Sequence, residues 1–383
     1  MTIASCPAKA ITFFQLIENT PQLDQRDNRG KRHSLAVVLT SLVAALLCGR
    51  DGSLSRLHRH MTNQFDVLLI AMQLVDCKPI SRAQLPLLLA KVNGPIFAQL
   101  LLDWCGFVLD AKTKTWFALD GKELRGSIQQ GHTRGEVVVS AVAHQGGQVL
   151  AQTYYCGTKE SERPAVAALI ESQHLASQKL TLDALHLIPT TLELIHAARG
   201  QYVVGLKSNQ AHLYRSCTLT DLFGVADYER VEEKVKKHGR LEQRHYRSFT
   251  LASSMIADRW KKSGMCTLLC VVRIREKGQV VSEEVSYYIS NQSVVNQATA
   301  NELFTAIRGH WGIEVMHYKR DVILSEDDLR TNKAGVSRLT GSLRTLAISL
   351  LERLTVKNMA AQLDTFADKF ATLIQFLTQQ MVL

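Results

Sequence analysis

The stretch that decides the fold is residues 115–126, TWFALDGKELRG, in which a short apolar run leads directly to Asp120. Residues 179–186, KLTLDALH, repeat the pattern and place Asp183 after a second such run. Residues 308–321, RGHWGIEVMHYKRD, are helical in character and carry Glu314. Short apolar runs next to turn residues predict strands. We therefore expect Asp120 and Asp183 each to end a strand and Glu314 to lie within a long helix.

The segments between these acids predict an α/β fold with a mixed sheet. Strand patterns at 115–120, 136–144 and 148–157 are separated by turn residues, which favours consecutive antiparallel pairing. A helix pattern follows, then a strand, a helix and a strand that ends near Lys207, so the order is β-β-β-α-β-α-β. In such a sheet the first and fourth strands can be neighbours, which would bring Asp120 and Asp183 together.

The remaining patterns divide the chain into five parts. Residues 1–110 are helical and are expected to serve DNA binding or dimerisation, and Ser34–Gly49 within them predicts a buried helix too short to span a bilayer. The other parts are the first sheet segment at 111–214, a β-rich insertion at 215–290, a completing segment with Glu314 at 291–357, and a C-terminal helix at 358–383.

Composition indicates an anionic partner. The chain of 383 residues carries 45 Lys and Arg against 35 Asp and Glu, a net charge of +10. This excess favours nucleic acid first and an anionic membrane second, although a basic protein without such a partner is an equal alternative. The eight cysteines form no CxxC pair, which disfavours zinc and disulfides and favours reduced thiols. With no secretory signal, we expect a cytoplasmic protein.

The three acids suggest a metal site for phosphodiester chemistry. Magnesium prefers carboxylate and water oxygens, and two such ions about 4 Å apart can activate a nucleophile and stabilise a leaving oxygen. We expect Asp120, Asp183 and Glu314 to be catalytic and to bind two ions, Mg²⁺ or alternatively Mn²⁺. The alternatives are an Asp-Gly turn for Asp120 and a helix N-cap for Asp183.

The helix around Glu314 has an unusually polar face. His310, Glu314, His317 and Asp321 follow spacings of four, three and four, so they stack on one side. That face could bind metal by itself, contact phosphate, or simply be solvated. By contrast, Ser325 with Asp328 resembles a capping box and predicts a structural helix start.

Basic residues near the acids and in residues 234–247, KVKKHGRLEQRHYR, predict DNA contacts. If 240–246 is one strand, Arg240, Glu242, Arg244 and Tyr246 share a face, and a charged edge strand is the alternative. Trp311 could stack on a base or fill the core. The predicted DNA-binding residues are Lys122, Arg125, Lys207, Asn209, Lys236, Lys237, Arg240, Arg244, Arg308, His310 and Trp311.

The ordered blocks resemble a known family. LDGKELRGS, the Lys159 and Glu162 pair in KESE, LTLDALH, YVVGLKSNQ and IRGHWGIEVMHYKRDV are similar to successive blocks of bacterial insertion-sequence DDE transposases of the H-repeat-associated type. The likeness runs from about residue 12 to about residue 350.

The resemblance implies a ribonuclease-H-like catalytic core with a β-rich insertion before the last catalytic helix. It implies that Asp120, Asp183 and Glu314 bind the metal, that DNA is cut and joined at the ends of an insertion sequence, and that a homodimer holds two synapsed ends. Two alternatives stay open at this point. One is a metal-dependent nuclease without strand transfer, and the other is a non-catalytic DNA-binding remnant.

Overall fold

The apolar runs of the sequence form a mixed β-sheet with helices on both faces. The structure is a computed structural model that describes residues 12–50, 52–104, 114–156, 162–237, 239–354, 356 and 358–379. The helices in this part of the chain are α1 (Phe13–Glu18), α2 (Leu35–Leu47), α3 (Leu54–Asn63), α4 (Phe65–Met72), α5 (Leu85–Leu89), α6 (Gly94–Trp104), α7 (Glu162–Ser172), α8 (Pro189–Ala197), α9 (Ala211–Phe223), α10 (Gln297–Val322), α11 (Ala334–Arg353), α12 (Met359–Asp368) and α13 (Phe370–Gln379).

The strands within the described residues belong to one sheet. They are β1 (Trp116–Glu123), β2 (Glu136–Ala143), β3 (Val149–Cys156), β4 (Lys179–Leu182), β5 (Gln201–Leu206), β6 (Tyr228–Val231), β7 (Val235–Lys237), β8 (Arg240–Thr250), β9 (Thr267–Lys277) and β10 (Val280–Ser290). Their order is β3-β2-β1-β4-β5-β10-β9-β8-β6, and β7 pairs with β8. The predicted α/β class and the order β-β-β-α-β-α-β up to β5 are confirmed.

The centre of the sheet has the predicted arrangement. β1 pairs with β2 antiparallel and with β4 parallel, and β4 pairs with β5 parallel. One face is covered by a core that includes Val166 of α7 and Leu192 of α8, while Ile313 and Met316 of α10 pack on Ala118 of β1 on the other face. This order is compatible with a ribonuclease-H-like core.

The β-rich segment extends this sheet. Its strand β10 pairs antiparallel with β5, with Tyr287 opposite Leu206 and Ser290 opposite Val203. The segment therefore separates the two parts of the core in sequence, but its strands continue the same hydrogen-bonded sheet. The predicted boundary at residue 214 falls inside α9, so this part of the chain begins with a helix.

The helices from the two ends of the chain share one core. Every residue of α2 is buried, which confirms the buried helix predicted for this run, and Ser34 caps it by accepting a hydrogen bond from Val37 N at 3.3 Å. The same core includes Leu343 of α11 and Leu373 of α13. The helical parts at 1–110 and 358–383 thus form one packed unit in the described residues. No described helix combines the length and apolar character needed to cross a membrane.

Of two local predictions, one is wrong and one is confirmed. Ser325 does not cap a helix: its φ of 39° is left-handed, Glu326–Asp328 is one 3-10 turn, and α11 begins only at Ala334. The reason is that buried Glu326 turns inward to pair with Arg320 instead of starting a helix. The predicted strand at 240–246 is confirmed because it lies within β8, and β7 precedes it and pairs with it antiparallel, with Gly239 between them at a φ of +74°.

Candidate active site

Asp120 lies inside β1 and not at its end. It is opposite Ser140 of β2, and the pairing continues through Gly121 to Glu123, opposite Val137. The prediction that the strand ends at Asp120 is therefore wrong, because β2 supplies partners for three further residues. The parallel pairing with β4 does stop at Leu119, opposite Leu182. Asp120 thus lies where the parallel partner strand has just ended.

Asp183 follows β4 directly and lies beside Asp120. Since Leu119 and Leu182 are partners in a parallel pair, the next residue of each chain segment is an aspartate. Asp183 Oδ1 accepts a hydrogen bond from Leu185 N at 2.8 Å and so caps the 3-10 turn Ala184–His186. The capping role is confirmed, and it leaves the carboxylate at the same sheet edge as Asp120.

The pKa of Asp120 shows how close these charges are. Burial, the charge of Asp183 and the charge of Glu162, in that order, raise it to about 7. Like charges that share a site disfavour ionisation of each other. The net effect of burial and of these two neighbouring carboxylates is unfavourable to the charged form of Asp120.

Glu162 is a neighbour of the aspartates that the strand pattern did not identify. It begins α7, and its carboxyl carbon lies 2.9 Å from where a Cβ would stand on Gly121. Tyr155 donates a hydrogen bond to Glu162 Oε2 at 3.1 Å, and His186 Nε2 lies 3.2 Å from its Oε1. His186 is also 3.9 Å from Asp183 Oδ1, so it lies between the two acids. The signal in the sequence was the KESE block, which the family resemblance contained.

The polar face of α10 packs over the aspartates. His310 Nδ1 is 3.0 Å from Thr181 Oγ1, and His317 Nδ1 is 3.7 Å from Asp120 Oδ2. Burial is the main cause that lowers the pKa of His310 to about 4 and that of His317 to about 3. Both imidazoles are therefore neutral near pH 7 and do not offset the carboxylate charge.

Glu314 lies on this helix between the two histidines. It is exposed, and among the described residues it forms no hydrogen bond or ion pair. His317, one turn further on, makes the contact with Asp120 instead. The structure therefore brings Asp120 and Asp183 together and places Glu314 on the helix that covers them, without a direct contact to either.

The carboxylates near Asp120 meet part of what a magnesium ion requires. Within the described residues, no group of three His, Cys, Asp or Glu side chains is close enough to hold a metal ion. The chemistry of the aspartate pair nevertheless fits a hard cation, because carboxylate oxygens are its preferred ligands. The raised pKa of Asp120 supports this fit, since a cation there would relieve the repulsion from Asp183.

Lys122 differs from its predicted place on an open rim. It is 8% exposed, and its ammonium lies 2.7 Å from Asp321, 3.4 Å from Asp327 and 3.6 Å from Glu326. Fully buried Arg320 donates from Nε to Glu326 at 2.9 Å. Lys122 therefore balances buried carboxylates and offers no free charge to DNA.

The other predicted DNA contacts divide into exposed residues and residues paired within the sheet. The side chain of Arg125 is 76% exposed, although its Nε lies 3.8 Å from Asp327 Oδ2, and Lys207, Asn209, Lys236 and Arg308 are exposed. Trp311 is 58% exposed, which excludes the alternative that it fills the core.

The paired residues lie on β8. Arg240 and Arg244 both contact Glu242, and Arg244 also lies 3.6 Å from Glu232. Lys159 and the side chain of Lys237 lie outside the described residues.

Tyr246 does not contribute to a DNA-binding face. It is fully buried, its ring centroid lies 5.2 Å from that of Phe304, and its hydroxyl donates to Glu232 Oε1 at 2.9 Å. The predicted role of Tyr246 in an exposed ribbon is wrong, because α10 packs on this face of β8.

Comparisons with known proteins point to one class, the bacterial transposases. YhhI of Escherichia coli K12, named as an inferred H-repeat-associated transposase, is 25% identical over 344 residues, which cover 86% of this chain and 87% of that protein. YncI of E. coli O157:H7, also named as an inferred transposase, is 25% identical over 273 residues, 68% of each chain. YbfL of E. coli K12, whose name gives no activity, is 27% identical over 67% of this chain and 68% of its own length. No protein-family model matches. The resemblance to H-repeat-associated transposases is confirmed.

Proposed function

We propose that this chain is a DDE transposase that cleaves DNA at the ends of an insertion sequence and joins those ends to target DNA. The observation that carries the proposal is the pair Asp120 and Asp183, side by side at one sheet edge under α10, with a pKa of about 7 for Asp120. The names of YhhI and YncI support the same activity.

In this proposal, Asp120, Asp183 and Glu314 bind two magnesium ions, and manganese can replace them. Bound there, the ions would activate the attacking hydroxyl and stabilise the leaving oxygen of the phosphodiester. His317 lies 3.7 Å from Asp120 on the α10 side, while His186 lies 3.2 Å from Glu162 and 3.9 Å from Asp183. The hydrogen bond between His310 and Thr181 fixes α10 on β4. This contact sets the distance of Glu314 from the sheet edge.

The exposed residues around this edge would position the DNA. Arg308 and Trp311 precede Glu314 on α10, and Arg125 and Lys207 lie on the loops that follow β1 and β5. Phosphate contacts from the cations would fix the backbone without reading sequence. Trp311 would supply a stacking surface for an unpaired base.

The test first searches the DNA that flanks the gene for terminal inverted repeats, and then uses purified protein, Mg²⁺ and a duplex that carries such a repeat end. Wild-type protein should nick the repeat end and form joined products, whereas Asp183→Asn should form neither. Asp258→Asn is the matched control, because the Asp258 side chain is 91% exposed in a separate turn. Cut ends without joined products would indicate a nuclease. Salt-dependent binding without metal-dependent cleavage would indicate a DNA-binding remnant.

A further inference from the structure

Three arginines that form no ion pair within the described residues surround a cavity in the helical unit, far along the chain from the carboxylates. Arg50 follows α2, while Arg56 and Arg59 lie on α3, and together with His60 and Asn63 they line an open space of about 650 Å³. All three arginines are exposed. Among the described residues, none of them forms an ion pair or a side-chain hydrogen bond.

The sequence of α3 explains why these charges face outward together. Leu57 and Met61 are buried in the helical core and fix one side of the helix. Arg56, Arg59 and Asn63 follow at spacings of three and four, which places them on one exposed face of the helix. Three cations that share a surface repel one another, so their arrangement favours an anionic ligand.

His60, which lines the cavity, also has a buried ring atom without a partner in the described part of the chain. His60 Nε2 is buried without a hydrogen-bond partner among the described residues. The His60 ring packs edge-on against Phe370 at 5.5 Å, so its position is held by the core. Ala367 of α12 also lines the cavity, whereas Asp364 and Asp368 of the same helix form no ion pair with the arginines in the described structure.

We propose that Arg50, Arg56 and Arg59 form a clamp for the phosphate backbone of duplex DNA. The guanidinium fork binds phosphate oxygens in pairs, and the amides of Asn63 and Gln64 can donate to the same oxygens. The assignment rests on the proposed function, since a protein that cuts DNA must also hold it outside the reacting bond. The clamp would give affinity without reading the base sequence.

The experiment measures binding of labelled duplex DNA in EDTA over a range of NaCl concentrations. The slope of log K against log salt is negative, and each lost phosphate contact reduces its magnitude by about 0.9. In the triple variant Arg50→Gln, Arg56→Gln, Arg59→Gln, the magnitude of the slope should therefore fall by about 2 to 3. The loss of affinity should be equal for repeat-end DNA and for scrambled DNA.

Two variants separate the clamp from other effects. Arg82→Gln removes an exposed arginine of the same helical unit and should leave slope and affinity unchanged. Arg56→Lys with Arg59→Lys keeps the charge but loses the fork, so affinity should fall while the slope stays near the wild-type value. Thermal unfolding of each variant should match that of the wild type, because these side chains are exposed.

The outcomes also separate this proposal from the catalytic one. Asp183→Asn should bind DNA normally in EDTA, even if cleavage proves absent in every form of the protein. An unchanged slope and affinity in the triple variant would overturn the clamp and leave the catalytic proposal intact. A loss confined to repeat-end DNA would also overturn it, since that result indicates base reading and not phosphate contact.

Discussion

Two groups of acids surround nearby residues of β1, Asp120 and Lys122, and they differ in charge balance. Around Asp120, the carboxylates of Asp183 and Glu162 add negative charge, the nearby imidazole of His317 is neutral, and the Asp120 pKa rises to about 7. Two residues further along β1, Lys122 faces Asp321, Glu326 and Asp327, and buried Arg320 pairs with Glu326. The pKa of Glu326 is lowered despite its burial, because Arg320 lies against it.

This contrast separates reactivity from structure. Acids that hold a fold together have cations fixed beside them, as Glu326 does. Acids that bind an exchangeable cation have no fixed cation beside them. Their negative charge is therefore uncompensated and destabilises the fold when the exchangeable cation is absent. The proposed function assigns the metal to the first group, around Asp120, and a structural role to the second, around Lys122.

The largest effect is expected from the carboxylates of the proposed metal site. Asp183→Asn and Glu314→Gln should each lower the rate of strand cleavage by about a thousand-fold or more, because metal stabilisation contributes several kcal/mol and about 1.4 kcal/mol is a factor of ten. A gel assay with repeat-end DNA and Mg²⁺ measures the rate. Glu162→Gln is the informative comparison, since Glu162 and not Glu314 lies next to Asp120 in the structure. If Glu314→Gln is fully active and Glu162→Gln is inactive, the third metal ligand is Glu162 and not Glu314.

The balanced group should show its effect in stability. Arg320→Met leaves Glu326 buried without its main partner, which should cost about 3–5 kcal/mol of unfolding free energy. Urea denaturation measures this loss. The double variant Arg320→Met, Glu326→Met should recover most of it, because no uncompensated charge is then left inside. A single variant as stable as the wild type would contradict the assignment of this group to structure.

Asp120→Asn should stabilise the metal-free protein. A carboxyl whose folded pKa is raised from 3.8 to about 7 destabilises the fold as pH rises through that interval, and the penalty is complete above pH 7. Removing the charge should add about 1–3 kcal/mol at pH 8 and nothing at pH 3. Denaturation in EDTA at both values gives the difference. An equal effect at both pH values would show that packing, and not charge, is responsible.

The smallest effect concerns Trp311. Because it is 58% exposed, Trp311→Ala should leave thermal unfolding unchanged and weaken binding of DNA with an unpaired end by about 1 kcal/mol, at the low end for base stacking. Phe223→Ala, which removes an exposed aromatic from α9, is the control and should bind normally. Equal losses in both variants would indicate a general effect of surface aromatics.

The sequence was sufficient to predict the core because its signals are local. The strands, the helices between them and the parallel neighbours β1 and β4 follow from apolar runs and turn residues. The adjacency of Asp120 and Asp183 then follows from strand order. The end of β1 was predicted too early, because Asp-Gly is a common turn pair. Here Gly121 continues the strand, and the absence of a side chain at this position leaves room for the carboxyl group of Glu162.

What could not be predicted depends on distant partners. Nothing in residues 120–125 shows that Lys122 will meet acids from 321–327, so its charge resembled a DNA contact. Alternation placed Tyr246 on one face of its strand but could not show that α10 covers that face. The arginine cavity could not be predicted for the same reason, since the sequence of α3 alone does not show that Ala367 of α12 lines it.

The shared core of the helical unit has a consequence for how the protein is made. Helices α1 to α6 leave the ribosome first, but the partners that cover them, α11 to α13, are translated last. A growing chain can therefore finish its β-sheet before its first hundred residues find their final packing. A protein truncated after residue 353 would lack α12, whose Ala367 lines the arginine cavity. Under the proposed clamp, such a truncation would affect DNA binding in the helical unit and leave the residues of the carboxylate site in the chain.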